Sequence, residues 1–196
     1  MRVAPPVAET IVHLVRHGEV FNPEGVLYGR LDGFNLSERG RAMAERLGEY
    51  FADADLTALR VSPLARAQQT MAPIAAGHPD LGLQIDDRVI EAANDFEGQV
   101  FGPRNRALLN PANWWKLRNP LRPSWGEPFT QIASRMRTAI ADAADAAGPG
   151  GQAVIVSHQL PIWIARLDAE GRRLFHDPRS RLCTLASVTS VQLRQG

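Results

Sequence analysis

The chain has 196 residues, 44% hydrophobic and 22% charged, values typical of a globular protein with a sizeable core. A formal net charge of +1 provides no bulk attraction to nucleic acid or to an anionic membrane, so neither is expected as a partner. The single cysteine, Cys183, excludes an internal disulfide and a cysteine zinc cluster. We expect neither a signal peptide nor a membrane span, and we predict one domain over residues 1–196 in the cytoplasm.

Apolar runs and amphipathic stretches predict strands that alternate with helices. In chain order they are a strand over 10–16, a helix over 37–52, a strand over 56–61, a helix over 63–76, a short strand over 83–85, a helix over 127–147, a strand over 153–156, a helix over 161–175 that is broken near Gly171, and a strand over 185–193. Two long irregular stretches, 17–36 and 91–126, interrupt this alternation. The pattern indicates an α/β fold, a three-layer α/β/α sandwich around a mostly parallel sheet.

Two of the predicted strands end in a histidine. Arg16-His17 follows the first strand, and His158 follows the strand over 153–156. A third strand ends at Ser62-Pro63 and leads into a helix that carries Arg66. Ligands of open α/β sheets bind at the carboxyl ends of the strands, so these side chains are expected to form one cationic pocket. A phosphoryl group suits such a pocket because its oxygens match arginine forks and histidine donors.

Several motifs follow one another along the chain: Arg16-His17-Gly18 with Asn22, Gly29–Leu36 followed by Ser37-Glu38-Arg39-Gly40, Ser62-Pro63-Leu64-Ala65-Arg66-Ala67 with Thr70, Gly126-Glu127 opening the helix of Arg135, and Val156-Ser157-His158. Taken together, they resemble the histidine phosphatase (phosphoglycerate mutase-like) superfamily. The matches run from about residue 11 to 162 in the order of the family. The resemblance implies a phosphoglycerate mutase-like fold.

The resemblance also implies a mechanism through phosphohistidine. His17 would attack phosphorus, while Arg16, Arg66 and His158 would hold the phosphoryl oxygens and Asn22 would assist. A carboxylic acid would protonate the leaving oxygen and then activate water. The expected function is that of a phosphomonoesterase acting on a small phosphorylated metabolite, with no cofactor.

The sequence departs from the family pattern at the acid and after the second histidine. Counted from the start of the pattern the acid is Glu91, but the segment is one residue short, so Asp95 and Glu97 stay as alternatives. Gln159 stands where many relatives have glycine, and we expect its side chain to narrow the pocket or contact substrate.

Two other functions remain open at this point. A phosphoglycerate mutase would use the same pocket but return the phosphoryl group to substrate, and a binding protein would hold phosphorylated ligands without turnover. The remaining histidines (His13, His78 and His176) lack comparable motifs and are expected to be structural or exposed. No metal-ligand spacing occurs, so no metal site is predicted.

Residues 99–125 are predicted to form a cap insertion. This stretch combines tryptophans with cations between prolines, and Trp115 and Arg118 are its candidate substrate contacts. Aromatic and guanidinium groups together can pack on an organic moiety while adding positive charge near phosphate. We therefore expect residues 104–125 to shape the substrate pocket.

Overall fold

The computed structural model describes residues 9–100, 126–177 and 180–194. Its strands are β1 (Glu9–Arg16), β2 (Leu56–Val61), β3 (Leu83–Ile85), β4 (Gln152–Ser157) and β5 (Val188–Arg194). The helices of these ranges are α1 (Glu38–Phe51), α2 (Ala65–Ala76), α3 (Phe129–Ala147) and α4 (Gln159–Ala169), with a 3₁₀ turn over Asp87–Val89.

The strands form one sheet in the order β3-β2-β4-β1-β5. The pairs β3–β2, β2–β4 and β4–β1 are parallel, and β5 runs antiparallel to β1 at the sheet edge. This mixed α/β fold confirms the predicted class. Because β1 and β4 are adjacent and parallel, the loops that follow them emerge side by side at one edge.

Side chains of the central strands alternate between the two faces of the sheet, which have separate cores. On β4, Ala153 and Ile155 pack with α3 and α4, whereas Val154 and Val156 pack with α1 and α2. All four side chains are fully buried. The helices on both faces therefore fix β4, and with it the position of the residue that follows it.

The predicted break near Gly171 is confirmed, but two predicted boundaries beside the site described below are wrong by three residues or more. Helix α4 ends at Ala169 and does not reach residue 175, because Gly171 takes a φ of 63° that breaks the helical turn. Strand β5 begins at Val188 and not at residue 185, because Ala186 has a φ of 55° in a turn closed by the Ser187 N–H donating to the Thr184 carbonyl.

The predicted cap over 99–125 lies outside the described residues beyond Val100, so it stays a prediction. Its two flanks are anchored. Asn94 and Gly126 form an antiparallel bridge, and Val100 forms another with Val26. No helix within the described ranges is both long enough and apolar enough to cross a membrane.

Candidate active site

His17 and His158 lie side by side at the carboxyl edge of the sheet. Arg16 at the end of β1 is in register with Ser157 at the end of β4, so the next residue of each strand is brought to the same place. The two imidazole centroids are 5.1 Å apart. Both side chains are buried.

The hydrogen bond of His17 fixes its tautomer. Its Nδ1 lies 2.8 Å from the carbonyl oxygen of Gly18, which can only accept, so Nδ1 carries the proton and Nε2 keeps its lone pair. Burial, followed by the positive charge of Arg66 and then that of Arg16, lowers the pKa of His17 to about 3. The imidazole is therefore neutral across the physiological range, as a nucleophile must be.

His158 precedes α4 and has one unpaired ring nitrogen. Its Nε2 lies 2.7 Å from the Ser62 hydroxyl, which itself accepts from the Leu64 N–H and can donate its proton to the ring. The ring proton then resides on Nδ1, which is buried and has no partner within the described residues. Burial, with the charge of neighbouring cations, holds the pKa of His158 well below its usual range.

Two arginines, the buried Arg66 and the half-buried Arg16, flank the histidines, and backbone carbonyls hold both. Arg66 is 1% exposed, donates from Nη2 to the Gly29 carbonyl at 2.6 Å, and lies 4.7 Å above the Tyr28 ring. Arg16 donates from Nη1 to the Cys183 carbonyl at 2.6 Å. Both Nε atoms are buried and unpaired within the described chain. Carbonyls leave the positive charges unneutralised, which favours binding of an anion.

The loop after His17 is held by close backbone contacts with α1. A Cβ on Gly18 would lie 2.6 Å from the Gly40 carbonyl oxygen, and one on Gly40 would clash with the carbonyl oxygen of Glu19. Ser37 caps α1 by accepting from the Gly40 N–H and also donates to the Glu19 carboxylate. The Ser37–Gly40 motif therefore fixes the loop that carries the nucleophile.

Asn22 lies in this loop, where both ends of its side-chain amide bond to the backbone of Val26. The Nδ2 donates to the Val26 carbonyl at 2.8 Å, and the Oδ1 accepts from the Val26 N–H at 3.0 Å. The amide therefore shapes the loop that follows the nucleophile, and its contact with phosphate stays a prediction.

A pocket of about 640 Å³ opens in front of His17, a size typical of small-molecule sites. Four predicted site residues line it: Arg16, His17, Glu91 and Gln159. Its other lining residues are Val26, Leu27, Tyr28, Gly29, Ala92, Ala93, Asn94, Gly126, Glu127, Phe129, Leu160, Phe175, His176, Asp177 and Arg181. Gln159 donates to the Cys183 carbonyl at 3.4 Å, on the same oxygen as Arg16.

Of the three carboxylates considered as the acid, Glu91 is the one that lines the pocket. Its carboxylate accepts from the Ala92 N–H at 2.8 Å, and burial raises its pKa against the opposing pull of nearby arginines. Glu97 instead accepts from the Arg30 N–H, and Asp95 is exposed. A carboxyl group with a raised pKa beside the nucleophile is suited to proton transfer.

The chain segment that carries Glu91 is held by side chains from three different elements. Arg30 Nε donates to the Glu91 carbonyl at 2.7 Å, the Ser157 hydroxyl donates to the Val89 carbonyl at 2.6 Å, and Arg135 donates to the Arg88 carbonyl. Glu127 binds the guanidinium groups of both Arg30 and Arg135 and so links two of these donors.

Sequence reasoning missed the C-terminal wall of the pocket. His176, expected to be structural or exposed, is half-buried and lines the pocket next to Phe175 and Arg181. His13 and His78 are structural as expected, with both ring nitrogens of each engaged by other parts of the protein. The residues of this wall follow α4, which the sequence predicted to run to residue 175, and they carry no recognisable motif. In the described ranges, no group of three His, Cys, Asp or Glu residues is arranged to hold a metal ion.

Comparison with known proteins agrees with this geometry. The family model of the histidine phosphatase superfamily (branch 1) matches residues 12–196. The chain is 56% identical over 183 residues to the protein Rv0525 of Mycobacterium tuberculosis, covering 93% of this chain and 90% of that one. It is 30% identical over 128 residues, 64% of this chain and 56% of the relative, to the probable phosphatase C1687.21 of Schizosaccharomyces pombe. The structure of Bacillus stearothermophilus YhfR superposes with a TM-score of 0.75 at 27% identity, covering 92% of this chain and 90% of the other. The chain is therefore a phosphatase that belongs to the histidine phosphatase superfamily.

Proposed function

We propose that this phosphatase is a metal-independent phosphomonoesterase that hydrolyses small phosphorylated metabolites through a phosphohistidine at His17. The observation that carries the proposal is the hydrogen bond from His17 Nδ1 to the Gly18 carbonyl, which leaves Nε2 as the free nucleophilic nitrogen. The lowered pKa of His17 supports it, because a neutral imidazole needs no prior deprotonation.

Three buried and unpaired nitrogen atoms support the assignment of the phosphoryl site. They belong to Arg16, Arg66 and His158, which surround His17. A buried donor without a partner is costly, so donors of this kind are typically matched to a ligand. Guanidinium and imidazole donors in a buried site stabilise the charge on transferring phosphoryl oxygens, the part that a metal ion plays in other phosphatases.

The proposed first step transfers the phosphoryl group to the enzyme. The lone pair of His17 Nε2 forms the N–P bond as the ester P–O bond breaks, and the Glu91 carboxylic acid donates its proton to the leaving oxygen. The raised pKa of Glu91 supports this role, since an acid must still hold its proton at the working pH.

The second step releases phosphate. The Glu91 carboxylate takes a proton from a water molecule as the water oxygen bonds to phosphorus, and the N–P bond breaks with its electron pair returning to Nε2. Inorganic phosphate leaves, and the neutral imidazole and the protonated acid are restored. In a mutase, the phosphoryl group would instead pass to a hydroxyl group of the substrate.

Trapping the intermediate tests this proposal. The wild-type protein, quenched during turnover of a ³²P-labelled phosphomonoester, should carry phosphate that is labile in acid and stable in base. The His17→Ala variant should carry none, and its turnover should fall by several orders of magnitude. Near-wild-type turnover by His17→Ala would rule out phosphohistidine. Phosphate that stays with the organic product instead of appearing in solution would favour the mutase.

Metal removal tests the other half of the proposal. Activity should be unchanged after treatment with EDTA, because the cations of the site are side chains of Arg16 and Arg66. A strong loss that added Mg²⁺ or Zn²⁺ reverses would contradict a metal-independent mechanism.

A further inference from the structure

Arg181 lines the pocket but is not needed for the phosphoryl group under the proposed function, in which Arg16, Arg66 and His158 already hold its oxygens. Arg30 and Arg135, which lie beside the same pocket, are neutralised by Glu127. Arg181 differs from them, because it forms no salt bridge with any carboxylate of the described residues. The half-buried guanidinium thus adds a separate positive charge to the pocket wall.

The position of Arg181 is set by His176. Its Nε donates to His176 Nε2 at 2.8 Å, while His176 Nδ1 lies 2.8 Å from the Leu174 carbonyl. The histidine therefore donates through one nitrogen and accepts through the other, which requires the neutral ring. Its ring packs 5.4 Å from that of Phe129 and 5.9 Å from that of Trp163, so two helices support it.

This arrangement occupies one edge of the guanidinium and leaves its terminal fork available. The only hydrogen bond of Arg181 within the described chain uses Nε. The Nη1 and Nη2 groups together are the pair of donors that binds a carboxylate or phosphate in bidentate fashion. An oriented arginine with a free fork is typical of anion recognition.

The pocket is also larger than a phosphate ion alone would fill. At about 640 Å³ it has room for a substrate of metabolite size, and Phe129, Leu160 and Phe175 supply apolar wall. A phosphomonoester bound at His17 would therefore extend its organic part along the wall that carries Arg181.

We propose that Arg181 binds a second anionic group of the substrate, so that the preferred substrates are small phosphomonoesters that also carry a carboxylate or a second phosphate. This inference rests on the proposed function, because it places the phosphomonoester at His17. Arg181 is then a residue that determines specificity and not part of the machinery of phosphoryl transfer.

Matched pairs of esters test the proposal. The pair 3-phosphoglycerate and glycerol 3-phosphate differs by a carboxylate, and the pair fructose 1,6-bisphosphate and fructose 6-phosphate differs by a second phosphate. The wild type should prefer the more anionic member of at least one pair by about tenfold or more in kcat/KM. The pair that shows the preference identifies which anion is bound.

Substitution then assigns the preference to Arg181. In Arg181→Gln the ratio between the two members should fall to near one, and Arg181→Lys should restore part of it. The control Arg46→Gln, on the exposed face of α1, should keep the wild-type ratio. Thermal melts check that each variant is folded. No preference in the wild type, or a ratio unchanged in folded Arg181→Gln, would overturn the proposal.

One alternative is that Arg181 acts through Glu91, whose carboxyl group is near enough for the two charges to influence each other. In that case Arg181→Gln would slow both members of a pair equally and would spare p-nitrophenyl phosphate, whose leaving group needs little protonation. That result would also overturn the proposal.

Binding to His17→Ala separates this inference from the proposed function. The variant cannot form phosphohistidine, so calorimetric titration with the same pairs measures the second anion without turnover. Tighter binding of the more anionic ester, lost in the double variant with Arg181→Gln, would support the role of Arg181 even if phosphohistidine were never trapped. Equal binding of both esters by His17→Ala would contradict that role, whatever the trapping experiment shows.

Discussion

The two sides of the pocket are built in different ways. On the nucleophile side, His17 and His158 follow two adjacent parallel strands, and each is placed by the sheet register and by backbone contacts. On the acid side, Glu91 lies in an irregular segment whose carbonyls are held by the side chains of Arg30, Ser157 and Arg135. Backbone geometry therefore fixes one side, whereas long polar side chains fix the other.

This difference has a functional consequence. Phosphoryl transfer to a histidine depends on a short, aligned approach that a rigid sheet edge supplies. Protonation of the leaving group must adapt to the substrate, and a segment anchored by side chains can change with few substitutions. We therefore expect variants on the nucleophile side to affect all substrates alike, and those on the acid side to discriminate between leaving groups.

The largest expected discrimination comes from Glu91→Gln. Hydrolysis of alkyl phosphates should slow by about 10² to 10⁴ fold, because general acid catalysis contributes about that much, while p-nitrophenyl phosphate should slow far less. Steady-state kinetics on both substrates measure the contrast. The variants Asp95→Asn and Glu97→Gln are the controls. Equal slowing of both substrates by Glu91→Gln would remove Glu91 from the role of acid.

Arg66→Met should affect both substrates by a similar factor. It removes a buried donor from beside His17, and kcat/KM should fall by about a hundredfold to a thousandfold. Burial lowers the pKa of Arg66, and Arg66 forms no salt bridge with a carboxylate of the described residues, so the free energy of unfolding should not decrease. Urea denaturation beside the kinetics checks this. Near-wild-type activity of Arg66→Met, or a strong loss confined to alkyl esters, would contradict the expectation that the nucleophile side affects all substrates alike.

The buried histidines of the nucleophile side should make stability depend on pH. Below the usual pKa of 6.5 the unfolded chain binds a proton at His17, while the folded protein stays neutral there down to about pH 3, so stability falls as pH falls through this window. His158 acts in the same direction. His17→Gln has no such group to protonate. The free energy of unfolding of this variant, relative to that of the wild type, should therefore be about 2 kcal/mol higher at pH 5 than at pH 7.5. Urea denaturation of both proteins measures this. A stability difference between wild type and variant that is the same at the two pH values would contradict the prediction.

The smallest expected effect is that of Arg30→Gln, which removes the bond to the Glu91 carbonyl without touching the carboxyl group. Turnover of alkyl phosphates should fall by about threefold to tenfold, with a smaller change for p-nitrophenyl phosphate. The control is Arg137→Gln, which removes a salt bridge between the exposed Arg137 and Asp168, neither of which lines the pocket. An equal effect on both esters would indicate general destabilisation instead of a shift of the acid.

The same contrast explains what could be predicted from the sequence. The strands that carry Arg16, His17 and His158 are short apolar runs whose neighbours in a parallel sheet follow from general rules, so their convergence was predictable. Arg181 was not, because it reaches the pocket only through the break at Gly171 and the contact with His176. Such side-chain pairings depend on tertiary packing and leave no periodic signal.

The pairing of Asn22 illustrates the same limit at a single residue. Its place in the loop after Arg16-His17-Gly18 predicts contact with phosphate, which stays a prediction, and in the structure its amide bonds to Val26 four residues later. An asparagine can bond its own loop or a ligand with the same atoms, and the sequence does not distinguish these partners.

Strand β1 lies between β4 and β5, which follow it by more than a hundred residues in the chain, and this has a consequence for folding. The Arg16 N–H donates to the Ser187 carbonyl, and the Ala186 N–H donates to the His17 carbonyl. The sheet therefore cannot close around β1 until residues 152–194 are available, and contacts of such long sequence separation slow folding. We expect a chain truncated before β4 to lack an assembled nucleophile and therefore phosphatase activity.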